Sequence, residues 1–519
     1  MRRRPRYPIG LACPANALRA SSHHNKPNAT KRFPDRAMIW VGSRRFTDPQ
    51  QRQGCTMIRV DNDITADELE NIINKKANEN ETVKLESGEY RFDHAITIAR
   101  SDVSLVGEGS DETHLTFTDD ALKANDDNAI LVTGSGKSRI SSLASDAQEG
   151  DTTLELYGTK NLKVGDTVRI AQNNNTEYLN SIGDDAWREI DSPLRTSMAK
   201  VIGIDGDVVT LDRGVHFDFD HGKAELTRVD SADDVALKGF SVDFELGEPD
   251  AGEFSNTLDD LSRYHAVEYA DTTAGELEDI TVNNGPSTAF EFSRSLDIDA
   301  DSLTADGAFD KGKGGNGYAF ELRESYDGTF DDLSDSGMRH SVLFASWHSS
   351  VGNDIEVTRT DRDINFHGGS DHDNRVHVTQ SIRDPDHDKM STTLWVNEGE
   401  SFGAPTDMSS NKVTFDDVVG SRRNDEIHGS DKGVTLVGGP GSDHLYGGDG
   451  DDVLDPGFGW GDNWLDGGEG EDIARFEGAR EDYSITTEDG ATHVEGNGIE
   501  ASLVDIETLT FSDREQAVD

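Results

Sequence analysis

Glycines and aspartates near the C-terminus recur at a spacing that could hold metal ions. Glycine begins successive units at Gly420, Gly429, Gly438 and Gly447, nine residues apart. Glycine allows tight turns that leave backbone carbonyls facing inward, and aspartate adds a hard anionic oxygen of the kind that Ca²⁺ prefers. We therefore predict bound Ca²⁺. The predicted ligand positions are Asp425, Gly439, Gly441, Asp443, Gly448, Gly450, Asp452, Asp462, Gly468, Gly470 and Asp472.

The best copies of this repeat are two consecutive units. Residues 438–446 and 447–455 read GGPGSDHLY and GGDGDDVLD, and looser units flank them. The pattern resembles the G-G-x-G-x-D-x-U-x nonapeptide of the RTX family, whose short strands stack as a calcium-binding parallel β-roll. A single such stretch is more often a flexible linker, but repetition in phase favours the roll. The resemblance covers about residues 420–513 and implies secretion, with folding on contact with calcium.

Histidines and arginines are concentrated in a second group, between residues 339 and 377. Histidine titrates near neutrality and can act as a general base or acid, and arginine can hold a carboxylate through two hydrogen bonds. Coils of about 21 residues would place His340 and His367 on neighbouring rungs, so we predict that these two transfer protons. Arg339, Arg359 and Arg362 would neutralise a substrate carboxylate, and Asp361 would orient a histidine.

The same segment allows other interpretations. Asp361 and Asp363 have the residue types of a carboxylate pair in a glycoside hydrolase. The histidines could also be surface residues in turns. A zinc site at His367 and His372 is a lesser option, because their spacing matches no known zinc motif.

Short strands separated by turns must position both groups. Apolar spacing predicts a helix over 64–74 that caps an open coil, followed by strands over 82–85, 88–92, 95–98 and 103–107. This succession resembles the first coils of pectate-lyase-like proteins, which implies a right-handed parallel β-helix. Asn353, Asn374 and Asn411 each precede an apolar strand, and stacked asparagines can hydrogen-bond along the axis of such a fold. The wider gap before the third asparagine predicts a loop over 384–405.

The chain as a whole is predicted to be all-β. Residues 57–418 would form the β-helix, with a small β module inserted at 140–230, where apolar and polar residues alternate between glycine turns. Residues 419–478 would form the calcium-binding roll and 479–519 its β cap. Residues 1–56 are basic and contain both cysteines, and we expect a disordered arm or a misplaced start, with Met57 as the natural beginning. The folded part would then contain no disulfide.

The net charge of −53, from 102 acidic and 49 basic residues, restricts the partners. Nucleic acid and anionic membranes both require a basic face, so neither is expected to bind. No apolar run is long enough to span a membrane. Because the acidic excess extends beyond the repeats, it suggests an organism from salt-rich surroundings, where screening removes the mutual repulsion of carboxylates.

A β-helix followed by an RTX roll resembles the layout of secreted mannuronan C5-epimerases and alginate lyases. That resemblance implies an extracellular protein that acts on an acidic polysaccharide by removing the C5 proton of a uronate. We also expect a monomer. The Tyr-Gly-Phe-Asp-Pro-His-Glu-type motif of the epimerases is missing from this sequence, so the choice between lyase and epimerase stays open. A glycoside hydrolase on the same fold and a non-enzymatic carbohydrate-binding or surface protein are the alternatives.

Overall fold

A computed structural model describes residues 57–123, 127–183, 192–381, 395–396, 410–420, 423–459, 461–488 and 491–518. All of these belong to one structural unit, Gly54–Asp519. The predicted arm at 1–56 and most of the predicted loop at 384–405 lie outside the described residues. Strands account for 53% of the structure and helices for 6%, as an all-β chain requires.

A short helix closes the first coil of the β-helix. The Thr65 hydroxyl accepts the backbone N–H of Glu68, whose carboxylate accepts the backbone N–H of Thr65, both at 3.3 Å. Leu69 and Ile73 are fully buried and cover the open end of the coil. The first elements are β1 (Met57–Val60), α1 (Ala66–Asn71) with a π-helical turn (Ile72–Lys76), β2 (Glu81–Leu85), β3 (Gly88–Phe92), β4 (Ile96–Ile98), β5 (Val103–Val106), β6 (Thr113–Phe117), α2 (Asp119–Leu122) and β7 (Asn128–Thr133).

An antiparallel module then interrupts the coils. It contains β8 (Gly136–Ser142), β9 (Thr153–Glu155), β10 (Thr167–Gln172), α3 (Thr176–Ser181), β11 (Arg195–Asp205), β12 (Val208–Leu211) and β13 (Glu225–Asp230). The strands pair in the order β8-β13-β10-β11-β12-β9. Their apolar side chains form a separate hydrophobic core, which Leu296, Tyr326 and Val351 of the later coils join. The module therefore packs directly on the β-helix.

Regular coils resume after the module. Their elements are β14 (Ala232–Asp233), β15 (Val235–Phe244), a 3₁₀ turn (Asp259–Leu261), β16 (His265–Thr273), β17 (Glu276–Gly285), β18 (Thr288–Leu296), β19 (Asp299–Ala308), β20 (Tyr318–Tyr326), β21 (Thr329–Ser336), β22 (His340–Phe344), β23 (Asp354–Arg359), β24 (Ile364–Phe366), β25 (Arg375–Ser381), β26 (Trp395–Val396) and β27 (Lys412–Val419). The odd-numbered strands from β15 to β27 pair in parallel in what we call the first sheet. The even-numbered strands from β16 to β26 pair in parallel with β7 and β4 in the second sheet.

In the second sheet, the register places similar side chains above one another on successive rungs. Tyr269, Phe292, Leu322, Phe344 and Phe366 pair in turn and are buried. Because successive side chains of a strand point to opposite faces, the neighbouring positions form a column on the outer face. The parallel register thus aligns residues that are about 20 to 30 positions apart in sequence.

The predicted asparagine ladder is present in the turns beside the first sheet. The Asn353 side-chain amide donates to Asn374 Oδ1 at 2.9 Å, and the Asn374 amide donates to Asn411 Oδ1 at 3.0 Å. All three side chains are buried. The ladder satisfies polar groups in buried turns, which stabilises the stack of coils.

Strand pairing in the first sheet continues from the coils into the C-terminal roll. Its elements are β28 (Glu426–His428), β29 (Thr435–Val437), β30 (His444–Asp449), β31 (Val453–Asp455), β32 (Asp462–Glu469), β33 (Ile473–Arg475), a 3₁₀ turn (Arg480–Asp482), β34 (Tyr483–Glu488), β35 (Ala491–Gly496), β36 (Ile499–Val504), β37 (Thr508–Thr510) and β38 (Glu515–Ala517). Strand β27 of the β-helix pairs with β29, and one apolar core extends from Val60 to Phe511. The predicted class, a parallel β-helix with an inserted β module and a terminal roll, is confirmed. Among the described residues, none of the helices has the length and apolar character to cross a membrane.

Candidate functional site

Successive repeats of the roll lie alternately on its two sides. On one side Asp425, Asp443 and Asn463 are in register, as the pairing of β28, β30 and β32 shows. On the other side Asp452 and Asp472 precede the paired strands β31 and β33. Each column therefore contains every second repeat, so that like-charged carboxylates stack one coil apart.

Asp443, Asp452 and Asp472 each have one satisfied oxygen and one unsatisfied oxygen. Oδ1 of Asp443 accepts the backbone N–H of Asp425 at 2.9 Å, and Oδ1 of Asp472 accepts the N–H of Asp452 at 2.8 Å. Oδ2 of Asp443, Asp452 and Asp472 is buried with no hydrogen-bond partner among the described residues. Burial raises the pKa of Asp443 to about 7 and that of Asp452 to about 6. Such oxygens are costly to bury unless a cation meets them.

The glycines of the repeat bring carbonyl oxygens close to these carboxylates. Gly448 has φ +112°, a conformation that favours glycine, and a Cβ on Gly470 would lie 1.8 Å from the Gly450 carbonyl oxygen. The predicted positions Gly439, Gly441 and Gly468 lie in the same series of turns. Hard carboxylate and carbonyl oxygens are the donors that Ca²⁺ takes. The residues present therefore fit calcium.

Two details of the roll differ from the sequence prediction. Asp462 is exposed, and Asn463 occupies the equivalent position, where its Oδ1 accepts the N–H of Asp443 at 2.9 Å. The looser repeat that contains Asp462 is one residue out of phase with the others. Counting positions along the sequence therefore selects Asp462 instead of Asn463. Glu507 extends the other column, because its Oε2 accepts the N–H of Asp472 at 2.7 Å. No repeat pattern marks Glu507, so sequence analysis missed it.

A histidine–carboxylate pair lies on the second sheet. His340 Nδ1 is 2.8 Å from Asp363 Oδ1, and the Asn365 amide donates to Asp363 Oδ2 at 3.3 Å. His340 is 5% exposed and Asp363 is fully buried. Asp363 therefore holds the ring of His340, whereas sequence analysis assigned the orienting role to Asp361. Asp361 lies two residues earlier, and its Oδ2 instead pairs with Arg362 Nη1 at 3.0 Å.

The predicted partner His367 lies beside His340. The two ring centroids are 6.4 Å apart, and His367 is partly exposed. Burial and the nearby His340 lower the pKa of His367 to about 4. His367 is therefore a neutral imidazole near neutral pH and cannot serve as a general acid there.

Sequence analysis missed the tyrosine of this site. Tyr318 pairs with His340 across neighbouring rungs, with ring centroids 5.5 Å apart. Burial, with a further contribution from Glu321, raises the pKa of Tyr318 to about 12. The phenol is thus protonated near neutral pH. No local motif marks Tyr318, and only the register of the coils could have found it.

The structure does not bring the three predicted arginines together. Arg339 donates to the Gly312 carbonyl and lowers the pKa of both Tyr318 and His367 through its charge, so it belongs to the histidine site. Arg362 is 4% exposed, donates to the Asp361 carbonyl at 2.7 Å and lines a separate cavity of about 450 Å³ with Lys311. Arg359 is exposed at the end of β23 in the first sheet.

Comparison with known proteins supports the repeat assignment. The RTX calcium-binding nonapeptide repeat family matches residues 435–459 and 459–474, so the predicted RTX repeats are confirmed. No curated protein matches the chain.

Several solved structures are similar to this chain. They include the tailspike gp61 of Pseudomonas phage phi297, at 12% identity and a TM-score of 0.44 over 76% of this chain and 65% of the tailspike. The tailspike gp49 of Pseudomonas phage LKA1 has 14% identity and a TM-score of 0.41 over 78% and 73%. An alginate lyase from Paenibacillus has 8% identity and a TM-score of 0.33 over 80% and 95%. The chain spans less than two thirds of the first tailspike, and likenesses of this size add nothing to the β-helix seen in the strand pairing.

Proposed function

We propose that this protein is a secreted, calcium-binding enzyme that removes the C5 proton of a uronate in an acidic polysaccharide, as a lyase or a C5-epimerase. The observation that carries the proposal is the pair of His340 and Asp363, 2.8 Å apart, beside Tyr318 on the second sheet. A carboxylate on one ring nitrogen and a protonated phenol nearby are the two halves of an acid–base pair.

The proton transfers follow from how the side chains are held. Asp363 accepts the Nδ1–H of His340, which leaves the Nε2 lone pair to take the C5 proton. In the lyase reaction the C5–H and C4–O4 bonds break, a C4=C5 double bond forms, and Tyr318 gives its proton to the departing O4. In the epimerase reaction Tyr318 instead protonates C5 from the opposite face.

The arginine near this pair, Arg339, suits an anionic substrate. Arg339 is close enough to Tyr318 and His367 to lower the pKa of both. A guanidinium beside the uronate carboxylate would make the C5 proton more acidic by neutralising the negative charge. Neutral His367 would donate or accept a hydrogen bond to the sugar without adding charge.

The roll would take Ca²⁺ between its stacked turns, with Asp443, Asp452 and Asp472 as carboxylate ligands. When bound, the ions supply positive charge to the buried Oδ2 atoms, and binding energy then contributes to folding. Extracellular calcium is abundant, so a chain that needs calcium to fold is suited to work outside the cell. We include secretion in the proposal on this ground.

The test is to incubate the purified full-length protein with alginate, pectate and hyaluronan in calcium. New ultraviolet absorbance from unsaturated uronate ends would show a lyase, and a changed uronate composition by NMR without chain cleavage would show an epimerase. Asp363→Asn should lose about 10²-fold or more of either activity, because the imidazole loses its orienting carboxylate. Reducing ends without the absorbance would mean a hydrolase, and no change in any polymer would favour the binding protein.

A further inference from the structure

Three side chains converge on the outer face of the second sheet, one from each of three adjacent rungs. His265 begins β16, Glu291 lies in β18 and Glu321 lies in β20. Glu291 and Glu321 are paired directly in the sheet. One donor atom from each of the three side chains lies within 4.8 Å of the other two. The two glutamates are 4% and 2% exposed, so this cluster is an internal feature and not a patch of surface acids.

The orientation of His265 directs Nε2 at the carboxylates. Its Nδ1 is 3.1 Å from Asn128 Oδ1, an acceptor. Nε2 lies 2.7 Å from Oε2 of Glu291, which is a buried oxygen. A ring nitrogen and a carboxylate oxygen this close can share a proton, and both can bind a metal ion that displaces that proton.

The remaining contacts leave the cluster short of positive charge. Arg323 holds the other face of the glutamates, with Nε 3.2 Å from Glu291 Oε1 and Nη2 on Glu321 Oε1. Glu268 lies 3.5 Å from His265 Nδ1. Three carboxylates therefore share one guanidinium and the His265 ring. Arg294 pairs with Asp271 at 2.8 Å and acts on Glu291 through its charge alone.

We propose that His265, Glu291 and Glu321 bind one divalent transition-metal cation. The site is distinct from the calcium sites of the roll and rests on no step of the proposed polysaccharide reaction. An imidazole nitrogen with carboxylate oxygens suits Zn²⁺, or Mn²⁺ where the oxygens dominate, whereas Ca²⁺ takes oxygen ligands alone. The cation would tie three rungs together and fix Glu321, three residues beyond Tyr318.

A second cluster shows what such a site requires. Glu149, His372 and Asp373 also come within reach of one another. There, however, the two ring nitrogens of His372 are each 2.9 Å from a backbone carbonyl, of Ser370 and of His216. Glu149 and Asp373 are exposed. No lone pair is directed at the carboxylates, so this second cluster supplies a matched control.

The competing arrangement at His265 is a buried ion pair. His265 would then carry a proton on Nε2 and meet Glu291 as an imidazolium. The two arrangements differ in whether they bind added metal, because an imidazolium that keeps its proton has no lone pair for a metal ion. They also differ in the effect of Glu321, which takes part in the metal site but not in the ion pair.

The test uses the full-length protein, freed of transition metals and kept in excess calcium so that the roll stays loaded. Zn²⁺ is added, and the bound metal is counted by mass spectrometry and its affinity is measured by calorimetry; Mn²⁺ is the second probe. One tightly bound Zn²⁺ per chain, not displaced by millimolar calcium, is expected. Glu321→Gln and His265→Gln should each weaken it at least about 100-fold, and Asp373→Asn should not.

Zn²⁺ should also raise the melting temperature of the unmodified protein and of Asp373→Asn, but not that of Glu321→Gln. This readout stands even if His265→Gln folds poorly. The proposal is wrong if neither Zn²⁺ nor Mn²⁺ binds, or if Glu321→Gln binds the metal as tightly as the unmodified protein. Because no activity is measured, failure here leaves the proposed enzymatic function untouched.

Discussion

At the residue scale, the decisive assignment is which aspartate serves His340. Asp361 and Asp363 are two positions apart, yet only Asp363 contacts the imidazole, and Asp361 pairs with Arg362. We expect Asp363→Asn to lower turnover by about 10²-fold or more and Asp361→Asn to change it far less. Turnover on the polymer found in the substrate screen is the measurement. Equal losses of turnover in the two variants would mean that both residues orient the imidazole.

The sequence could make His340 a candidate because histidines and arginines cluster around it. It could identify the acidic repeat because nine-residue spacing is a local signal. It could not choose between Asp361 and Asp363, since both lie in the same turn and either could reach a ring. Tyr318 and Glu321 carry no local signal at all. They reach the site through a pairing 22 residues long, from Tyr318 to His340, and that register depends on the length of every intervening turn.

At the scale of elements, a buried ion pair adds to the apolar contacts that hold the inserted module on the coils. Arg169 of β10 holds Glu324 of β20 at 2.7 Å, and His348 lies 3.1 Å from the same carboxylate. Burial alone would raise the pKa of Glu324, but Arg169 and His348 outweigh it and hold the pKa below its usual value. The carboxylate is therefore charged at neutral pH and fastens the module to the coils.

Breaking the Arg169–Glu324 pair should lower the free energy of unfolding. Arg169→Met leaves Glu324 buried without its partner, and we expect a loss of about 3–5 kcal/mol in unfolding free energy at neutral pH. The loss should become smaller as the pH falls below the ordinary pKa of glutamate and approaches the lowered pKa of Glu324. A protonated Glu324 is neutral and gains little from a nearby cation. Denaturant unfolding across this pH range measures both. Arg139→Met, which breaks the exposed pair with Glu225, is the control and should change little; a matching loss there would show that the buried pair has no special role.

Sequence alternation was enough to predict that this segment is an inserted β module, because a two-residue period needs only neighbouring residues. How the module docks was not predictable. Arg169 and Glu324 are 155 residues apart, and nothing local marks either as a partner. The asparagine ladder succeeded for the opposite reason, because each rung repeats the same asparagine before an apolar strand.

At the scale of the whole molecule, one core joins the β-helix to the roll, so the state of the roll bears on the body. The roll's aspartates have raised pKa values without calcium, about 7 for Asp443 and about 6 for Asp452. A raised carboxyl pKa means that the folded roll holds its protons more tightly than the unfolded chain. Its stability without calcium should therefore fall as pH rises from about 4 to about 7.

Calcium should reverse that trend, since it binds the ionised carboxylates and its affinity rises with pH. Hydrogen exchange of amides within 435–474 of the full-length protein, corrected for the intrinsic pH dependence, follows the roll separately from the body. Protection lost at neutral pH in chelator and restored by millimolar calcium is the expected result. Protection that changes neither with pH nor with calcium would contradict the calcium assignment of these aspartates.

The most direct test of the central claim is proton NMR of an acidic polysaccharide treated with the full-length protein in heavy water. If His340 removes the C5 proton, the H5 signal of the uronate must disappear. An epimerase replaces it with deuterium in an intact polymer, and a lyase leaves unsaturated ends. The account predicts loss of H5 with the unmodified protein and its retention with Asp363→Asn. New reducing ends with H5 intact, or an unchanged spectrum for alginate, pectate and hyaluronan alike, would contradict it.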